Sequence, residues 1–310
     1  MTNRSIASIL PGVKAHRPFI LKLYLLPPLL LLTALPYAVF YPPSLLTAGP
    51  ETEALPIFAP STFSFSMLPL PAPAETPRRV KVPIIMYHHI ADPPPRTDDI
   101  RRDLSLPPQL FERHLRYLVE AGYQPITLYQ LARHLREGAP LPPRPIILTF
   151  DDGYRDHYTH AYPLLKEYGF VGTFFLISGP IDWGNKDYLS WEQVEIMSAG
   201  GMEFGDHSYD HPDLRGRPLD FVTWQVISPK EAIEKHTGQE VLFFCYPSGS
   251  YDRQVIDVLR SAGFWGGITT RHGVWHCEEE LFQLRRIRVH GSDLLSEWVS
   301  TLNEALEQGN

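Results

Sequence analysis

The chain has 310 residues, 44% of them hydrophobic, and a formal net charge of −7: enough for one large core, and without the basic excess that a nucleic-acid partner leaves on a sequence. Its two cysteines, Cys245 and Cys277, exclude a disulfide framework and a zinc–thiolate cluster, and leave open whether they pair with each other. The 31 prolines exceed ordinary usage and crowd into the front of the chain, which separates a non-globular leader from a folded remainder.

Residues 1–18 form a short basic start, with Arg4, Lys14 and Arg17 ahead of the apolar run "PFILKLYLLPPLLLLTALPYAVFY". Residues 19–41 are long enough to cross a bilayer as a helix, broken in polarity only by Lys22. The basic flank predicts a cytoplasmic N-terminus and an exported remainder. Pro27 and Pro28 are better tolerated in a membrane helix than in water. The run reads as a signal-anchor or a signal peptide; Leu46 spoils a small-residue cleavage site around Ala48, which favours an uncleaved anchor. Residues 42–80 are rich in proline without a sustained period and predict an extended linker. The expected location is therefore outside the cytoplasm, tethered to the membrane, or secreted if the segment is cleaved.

From 81 to 306 the texture is that of one folded domain. "VPIIMYHHI" reads as a buried strand, and "PPQLFERHLRYLVEAGY" carries a helical stripe of Leu110, Phe111, Leu115, Leu118 and Val119 that stops at Gly122. "LYQLARHLREG" predicts a helix, "RPIILTF" a strand, "AYPLLKEYGF" a helix and "VGTFFLIS" a strand. A helix then opens on a capping box from Ser190 to Gln193, and "MEFGDHS" is a strand that runs into a polar loop. "ISPKEAIEKHTG", "VLFFCYPSG", "DRQVIDVLRSAGF" and "WGGITT" continue as helix, strand, helix and strand, and "LLSEWVSTLNEALEQ" closes the chain as a helix. Continuous apolar strands alternating with helices indicate a parallel sheet covered on both faces. About seven such units point to an α/β fold of the TIM-like type, an incomplete barrel of β/α units. No glycine-rich phosphate cradle is present.

In such a barrel, reactive groups gather at the C-terminal ends of strands. Those ends carry Tyr87-His88-His89, Asp151-Asp152-Gly153, Asp206 through His211, and Pro247-Ser248-Gly249. Taken singly, each is ordinary: Asp-Asp-Gly is a common turn, and His207 and His211 match a chance helical pair. Pro212 and Gly205 argue for a loop there, and a loop can bring both imidazoles to one ion. Two histidines and a carboxylate leave open positions for water, as catalytic zinc sites do. The paired aspartates then divide the work, one on the metal and one as proton acceptor, since a cation relieves their repulsion.

"ILTFDDGY", "EFGDHSYDHPDL" and "FFCYPSGSYD", in that order, resemble the polysaccharide deacetylase family (NodB homology, carbohydrate esterase 4). The flanking "VPIIMYHHI", "LSWEQVEIMSAGGMEFG" and "LRRIRVHG" fit as well, so the resemblance spans residues 82 to about 300. It implies a distorted (β/α)7 barrel, with Asp151 as catalytic base and Asp152, His207 and His211 as metal ligands. It also implies that the Ser248 amide helps hold an oxyanion and that His290 serves as general acid, in Arg288-Val289-His290, which departs from the family's late Leu-x-His block; His88 at the first strand end is the alternative acid. Cys245 stands where the family often places an arginine that steadies the catalytic aspartate, and Ser248 replaces an aromatic. The implied activity is metal-dependent removal of N-acetyl groups from a cell-surface or extracellular polysaccharide, either peptidoglycan or an N-acetylglucosamine polymer. Zinc is the expected ion, with cobalt, nickel or manganese as substitutes. Two other readings fit the same residues: an O-acetyl esterase of the xylan type, and a tethered glycan-binding domain whose catalysis is impaired.

Overall fold

A computed structural model describes residues 78–308. The expected membrane segment at 19–41 and nearly all of the expected linker lie outside the described residues. Among the described residues, no helix is long and apolar enough to cross a membrane.

The strands are β1 (Arg79–Lys81), β2 (Ile84–Tyr87), β3 (Gln124–Pro125), β4 (Pro145–Phe150), β5 (Thr173–Leu176), β6 (Glu203–Asp206), β7 (Phe243–Cys245), β8 (Gly266–His272), β9 (Trp275–Cys277) and β10 (Leu284–Arg288). The helices are α1 (Asp99–Asp103), α2 (Pro108–Glu120), α3 (Leu128–Glu137), α4 (Tyr162–Tyr168), α5 (Ser178–Asp182), α6 (Trp191–Ala199), α7 (Leu219–Thr237), α8 (Arg253–Ser261) and α9 (Leu295–Glu307). Parallel pairing runs β2–β4–β5–β6–β7–β8–β10, and β10 returns to β2 through Ile287 opposite Ile85. That closes a seven-stranded barrel, the architecture that the alternating pattern predicts. β3 lies beside the start of β4, and β1 takes in Arg79 and Val80 to pair antiparallel with β9.

Local chemistry accounts for the boundaries. β4 starts at Pro145, where a missing N–H costs no ladder bond, and its next five residues are all buried. Thr127 with Gln130 and Ser190 with Gln193 form capping boxes at the starts of α3 and α6. α3 ends on Gly138, whose left-handed φ of 76° a side chain would resist. The core between helices and barrel is aromatic: Phe150 stacks on Phe174 at 4.6 Å and on Tyr87 at 5.3 Å.

Two elements differ from expectation. α7 starts at Leu219 rather than near Ile227, and runs through Pro229. Pro229 removes one intrahelical donor, yet it is buried together with Val222, Val226 and Ile233, so packing along one face outweighs the local penalty. β10 is a strand where the sequence pattern predicts none, because its arginines interrupt the apolar run. Alternation explains them: Leu284, Arg286 and Arg288 share one face, and Arg286 is 1% exposed inside the barrel.

Candidate active site

The C-terminal ends of the barrel strands surround a cavity of about 460 Å³ whose lining includes His88, Asp151, Asp152, His207, His211 and Ser248. Tyr154, Ile177, Tyr188 and Tyr246 supply its apolar walls. The strand ends therefore bring six of the seven expected site residues to one place. The seventh, His290, is not among them.

β4 delivers Asp151 and Asp152 as consecutive residues that point to different partners. Asp151 is 2% exposed and its amide donates to the Tyr87 carbonyl of β2 at 3.0 Å. Its carboxylate receives a two-pronged hydrogen bond from Arg286: Nη1 to Oδ1 at 2.7 Å and Nη2 to Oδ2 at 2.7 Å. The guanidinium is fixed in turn, with Nε donating to the Thr269 carbonyl at 2.9 Å and Nη1 to Thr149 Oγ1 at 3.1 Å. Burial alone would raise the Asp151 carboxyl; the Arg286 charge and hydrogen bonds more than reverse that and keep it ionised.

The arginine missing from its expected position is thus supplied from another strand. Cys245 ends β7 beside the pair, its Sγ 3.5 Å from Asp151 Oδ2 and 3.3 Å from Arg286 Nη2. Burial pushes its thiol up, so it stays a neutral donor to the carboxylate. Cys245 and Cys277 are both free, which answers the open question of their pairing. The sequence does carry a signal for Arg286, namely a basic residue at an inward position of a period-two strand, but only once β10 is recognised.

Asp152 adopts φ 76° and faces His207 and His211: its Oδ1 is 3.2 Å from His207 Nε2 and 3.8 Å from His211 Nε2. Asp206 ends β6 and accepts the Ser208 amide at 2.7 Å, while Ser208 Oγ accepts the His211 amide at 3.0 Å. These two bonds fold the loop back so that the imidazole rings lie 4.8 Å apart at 80°. Gly205 is required one residue earlier, since a Cβ there would stand 2.4 Å from the Phe175 ring. Four of the five non-glycine residues with positive φ among the described residues are Asp152, Ser208, His211 and Ser248, so backbone strain concentrates at this rim.

This donor set fits a divalent cation. One atom from each of Asp152, His207 and His211 lies within 4.8 Å of the others. His207 Nδ1 donates to the Cys245 carbonyl at 2.6 Å, which leaves the Nε2 lone pair for an ion, the outer-shell arrangement usual for metal-binding histidine. Burial would raise the Asp152 carboxyl, and its hydrogen bond to His207 with the adjacent imidazoles holds it far below the ordinary carboxylate range instead.

Of the two histidines considered as acid, His88 is in the cavity and His290 is outside it. His88 Nε2 is 4.0 Å from Asp151 Oδ2, and burial lowers its pKa to about 4 against the pull of both aspartates, so it rests neutral. The chain turns away after β10, and His290 is exposed with Nδ1 on Asp103 Oδ1 at 2.8 Å. That hydrogen bond ties the segment after β10 to the end of α1. Ser248 lies in the left-handed region at φ 54°, in a turn closed by the Gly249 amide on the Tyr246 carbonyl at 2.8 Å, and reaches the cavity.

The polysaccharide deacetylase family model matches residues 138–266. YxkH of Bacillus subtilis (strain 168), named for the polysaccharide deacetylases, is 30% identical over 215 residues, covering 69% of this chain and 74% of the relative. The poly-β-1,6-N-acetyl-D-glucosamine N-deacetylase of Escherichia coli K12 is 29% identical over 140 residues, 41% of this chain and 20% of that protein. The solved structure of the deacetylase PplD of Streptococcus pyogenes, in complex with acetate, superposes with a TM-score of 0.67 at 29% identity, covering 75% of this chain and 100% of that one.

Proposed function

Since the chain belongs to the polysaccharide deacetylase family (NodB homology, carbohydrate esterase 4), we propose that it hydrolyses N-acetyl groups on a cell-surface or extracellular polysaccharide, peptidoglycan or an N-acetylglucosamine polymer, in a metal-dependent reaction. One observation carries the reading: a carboxylate kept ionised by a buried arginine stands beside a carboxylate and two histidines that face one point in a cavity. Location outside the cytoplasm, through the N-terminal segment, belongs to the same proposal and rests on hydropathy and flanking charge alone.

Asp152, His207 and His211 would hold the ion. Bound there, a divalent cation, zinc foremost, supplies Lewis-acid polarisation of the acetyl carbonyl and acidifies a water. Asp151 accepts a proton from the attacking water, a role that needs the ionised form that Arg286 maintains. The Ser248 amide offers a donor to the developing oxyanion. His88 carries the proton to the departing nitrogen: neutral at rest, it becomes a strong donor once protonated, because burial holds its pKa near 4. The water O–H and the amide C–N bonds break, C–O and N–H bonds form, and the products are a free amine and acetic acid, which gives up its proton to leave as acetate.

The alternative of a binding domain without catalysis rests on Cys245 in place of arginine and Ser248 in place of an aromatic. Arg286 pairs with Asp151 in place of the missing arginine, which weighs against the first of these grounds. Release of acetate from N-acetylglucosamine oligomers, peptidoglycan and acetylxylan, with and without chelator, tests the proposal. Amide substrates should release acetate only in the presence of metal; release from acetylxylan alone would move the assignment to an O-acetyl esterase, and activity indifferent to chelation would remove the metal.

A further inference from the structure

His88 reaches the cavity on a ring that is not anchored through its own nitrogens. Among the described residues, its buried Nδ1 has no hydrogen-bond partner, and its Nε2 stands 4.0 Å from Asp151 Oδ2, beyond hydrogen-bond reach. A histidine that moves a proton ordinarily has its second nitrogen fixed by another group. Here the place of the imidazole has to come from the backbone that carries it. Consecutive residues Asp156 and His157 hold that backbone. His157 Nε2 donates to the His88 carbonyl at 2.6 Å, the Ile90 amide donates to Asp156 Oδ1 at 2.9 Å, and His89 Nδ1 donates to Asp156 Oδ2 at 2.6 Å. From the other side, the His89 amide donates to the Leu104 carbonyl at 2.9 Å and the His89 carbonyl accepts the Leu106 amide at 3.0 Å. Position 89 is pinned from both sides, and position 88 is pinned by His157.

Packing alone would favour an apolar residue at 157. The His157 ring is fully buried, 5.6 Å from Phe150 and 5.5 Å from Phe174, and its Nδ1 has no partner among the described residues. An apolar ring in that place would avoid the unpaired nitrogen. Burial lowers the imidazole's pKa, so it stays neutral, and its proton lies on Nε2, the nitrogen that meets a carbonyl. His157 also opens a single π-helical turn, His157–Ala161, a departure from α geometry that recurs at functional sites. Burial would raise the Asp156 carboxyl as well, but the hydrogen bond from His89 leads the effects that hold it below its ordinary value, so it accepts both donors as a carboxylate. Neither residue lines the cavity beside His88, so each acts on the site through the chain it grips.

We propose that Asp156 and His157 are positioning residues for the general acid: they fix the backbone of residues 88–90 and so place the His88 imidazole at the departing nitrogen. The stretch from Asp151 to His157 then supplies the proton acceptor, a metal ligand and the hold on the acid, and one segment sets their spacing. The role rests on the deacetylase reading with His88 as acid; the grip rests on the hydrogen bonds. His157→Phe keeps the aromatic packing and removes the donor, His157→Gln offers an amide N–H at the same reach, and Asp156→Ala releases His89 and Ile90 from a half-buried position. A positioned acid matters only where the leaving group needs a proton. Each full-length variant is therefore assayed on N-acetylglucosamine oligomers, whose amine must be protonated, and on 4-nitrophenyl acetate, whose phenolate leaves without a proton. His157→Phe and Asp156→Ala should lower kcat on the amide about ten- to a hundredfold, with KM within about twofold, and slow the aryl ester by less than about threefold. His157→Gln should recover most of the amide rate, and hydrogen exchange at the Ile90 amide should quicken in Asp156→Ala. Amide and ester rates that fall in parallel, or amide rates within about twofold of wild type in both His157→Phe and Asp156→Ala, overturn the positioning role. A wild-type protein that releases acetate from neither substrate overturns the deacetylase reading, and the positioning role with it.

Discussion

Replacing Arg286 by methionine removes one charge from a pair in which both members are nearly inaccessible, Arg286 at 1% and Asp151 at 2% exposure. The two charges lie about 4 Å apart centre to centre, worth about 4 kcal/mol at an effective dielectric near 20. Removing one partner of a buried pair strands the other, at a cost of about 3–5 kcal/mol. For a domain of this size that corresponds to a fall of roughly 6–20 °C in Tm. The pH dependence has a definite sign. In the wild type the Asp151 carboxyl is depressed, so its stabilisation is complete above the unfolded value of about 3.9 and disappears as pH falls through the lower folded value. Without Arg286, burial raises the carboxyl above its unfolded value, so the deficit is full above that raised value and shrinks as pH falls from there towards the depressed wild-type value. Urea denaturation of the metal-free protein from pH 3 to 7 measures both curves, and Arg286→Met combined with Asp151→Leu should recover much of the loss. A single variant that loses less than about 1 kcal/mol, or a deficit that does not change with pH, would refute the assignment of Arg286 as counter-charge to Asp151.

Asp152→Ala, His207→Ala and His211→Ala should each lower bound zinc in the purified protein, whereas Asp151→Asn should keep it and lose about 10²–10⁴ in kcat; full zinc in all three alanine variants would dismiss the ligand set. His88→Ala should lower kcat over the same range with zinc retained, and His290→Ala should stay within about twofold of wild type; the reverse pattern would return the acid role to His290. Gly205→Ala should cost about 1–3 kcal/mol through the Phe175 contact and weaken zinc binding by shifting His207, which denaturation and metal titration would register. Ser190→Ala should cost about 1 kcal/mol through the lost cap of α6 and leave kcat unchanged.

Residues whose role depends on neighbours in sequence were legible before the structure. Asp151 and Asp152 follow an apolar run, and His207 and His211 follow a glycine-bearing strand, so the strand ends could be read directly. The caps at Thr127 and Ser190 follow from short-range chemistry, although only the second was read from the sequence. Arg286 could not be found that way, because its partner is 135 residues distant and its own strand is masked by charge. The choice between His88 and His290 turned on which way the chain bends after β2 and β10, a matter decided by Asp103 on a different element. The first two turns of α7, from Leu219 to Val226, carry no local start signal in the sequence, whereas burial of Val222 and Val226 on the face that also holds Pro229 and Ile233 is a tertiary effect.

The separation between Asp151 and Arg286 also bears on how the molecule is made. A chain emerging from its N-terminus completes β4 while β10 has yet to be synthesised, so the carboxylate has no counter-charge until the last barrel strand arrives. Ring closure through Ile287 and Ile85 and neutralisation of Asp151 are then a single late, long-range event, the kind of contact that slows folding most. Until it occurs, the open sheet exposes the edges of β2 and β8 and carries an unpaired charge where its interior will be. The barrel and the proton acceptor therefore mature together, and a chain truncated before β10 should be a poorly closed intermediate rather than a weak enzyme.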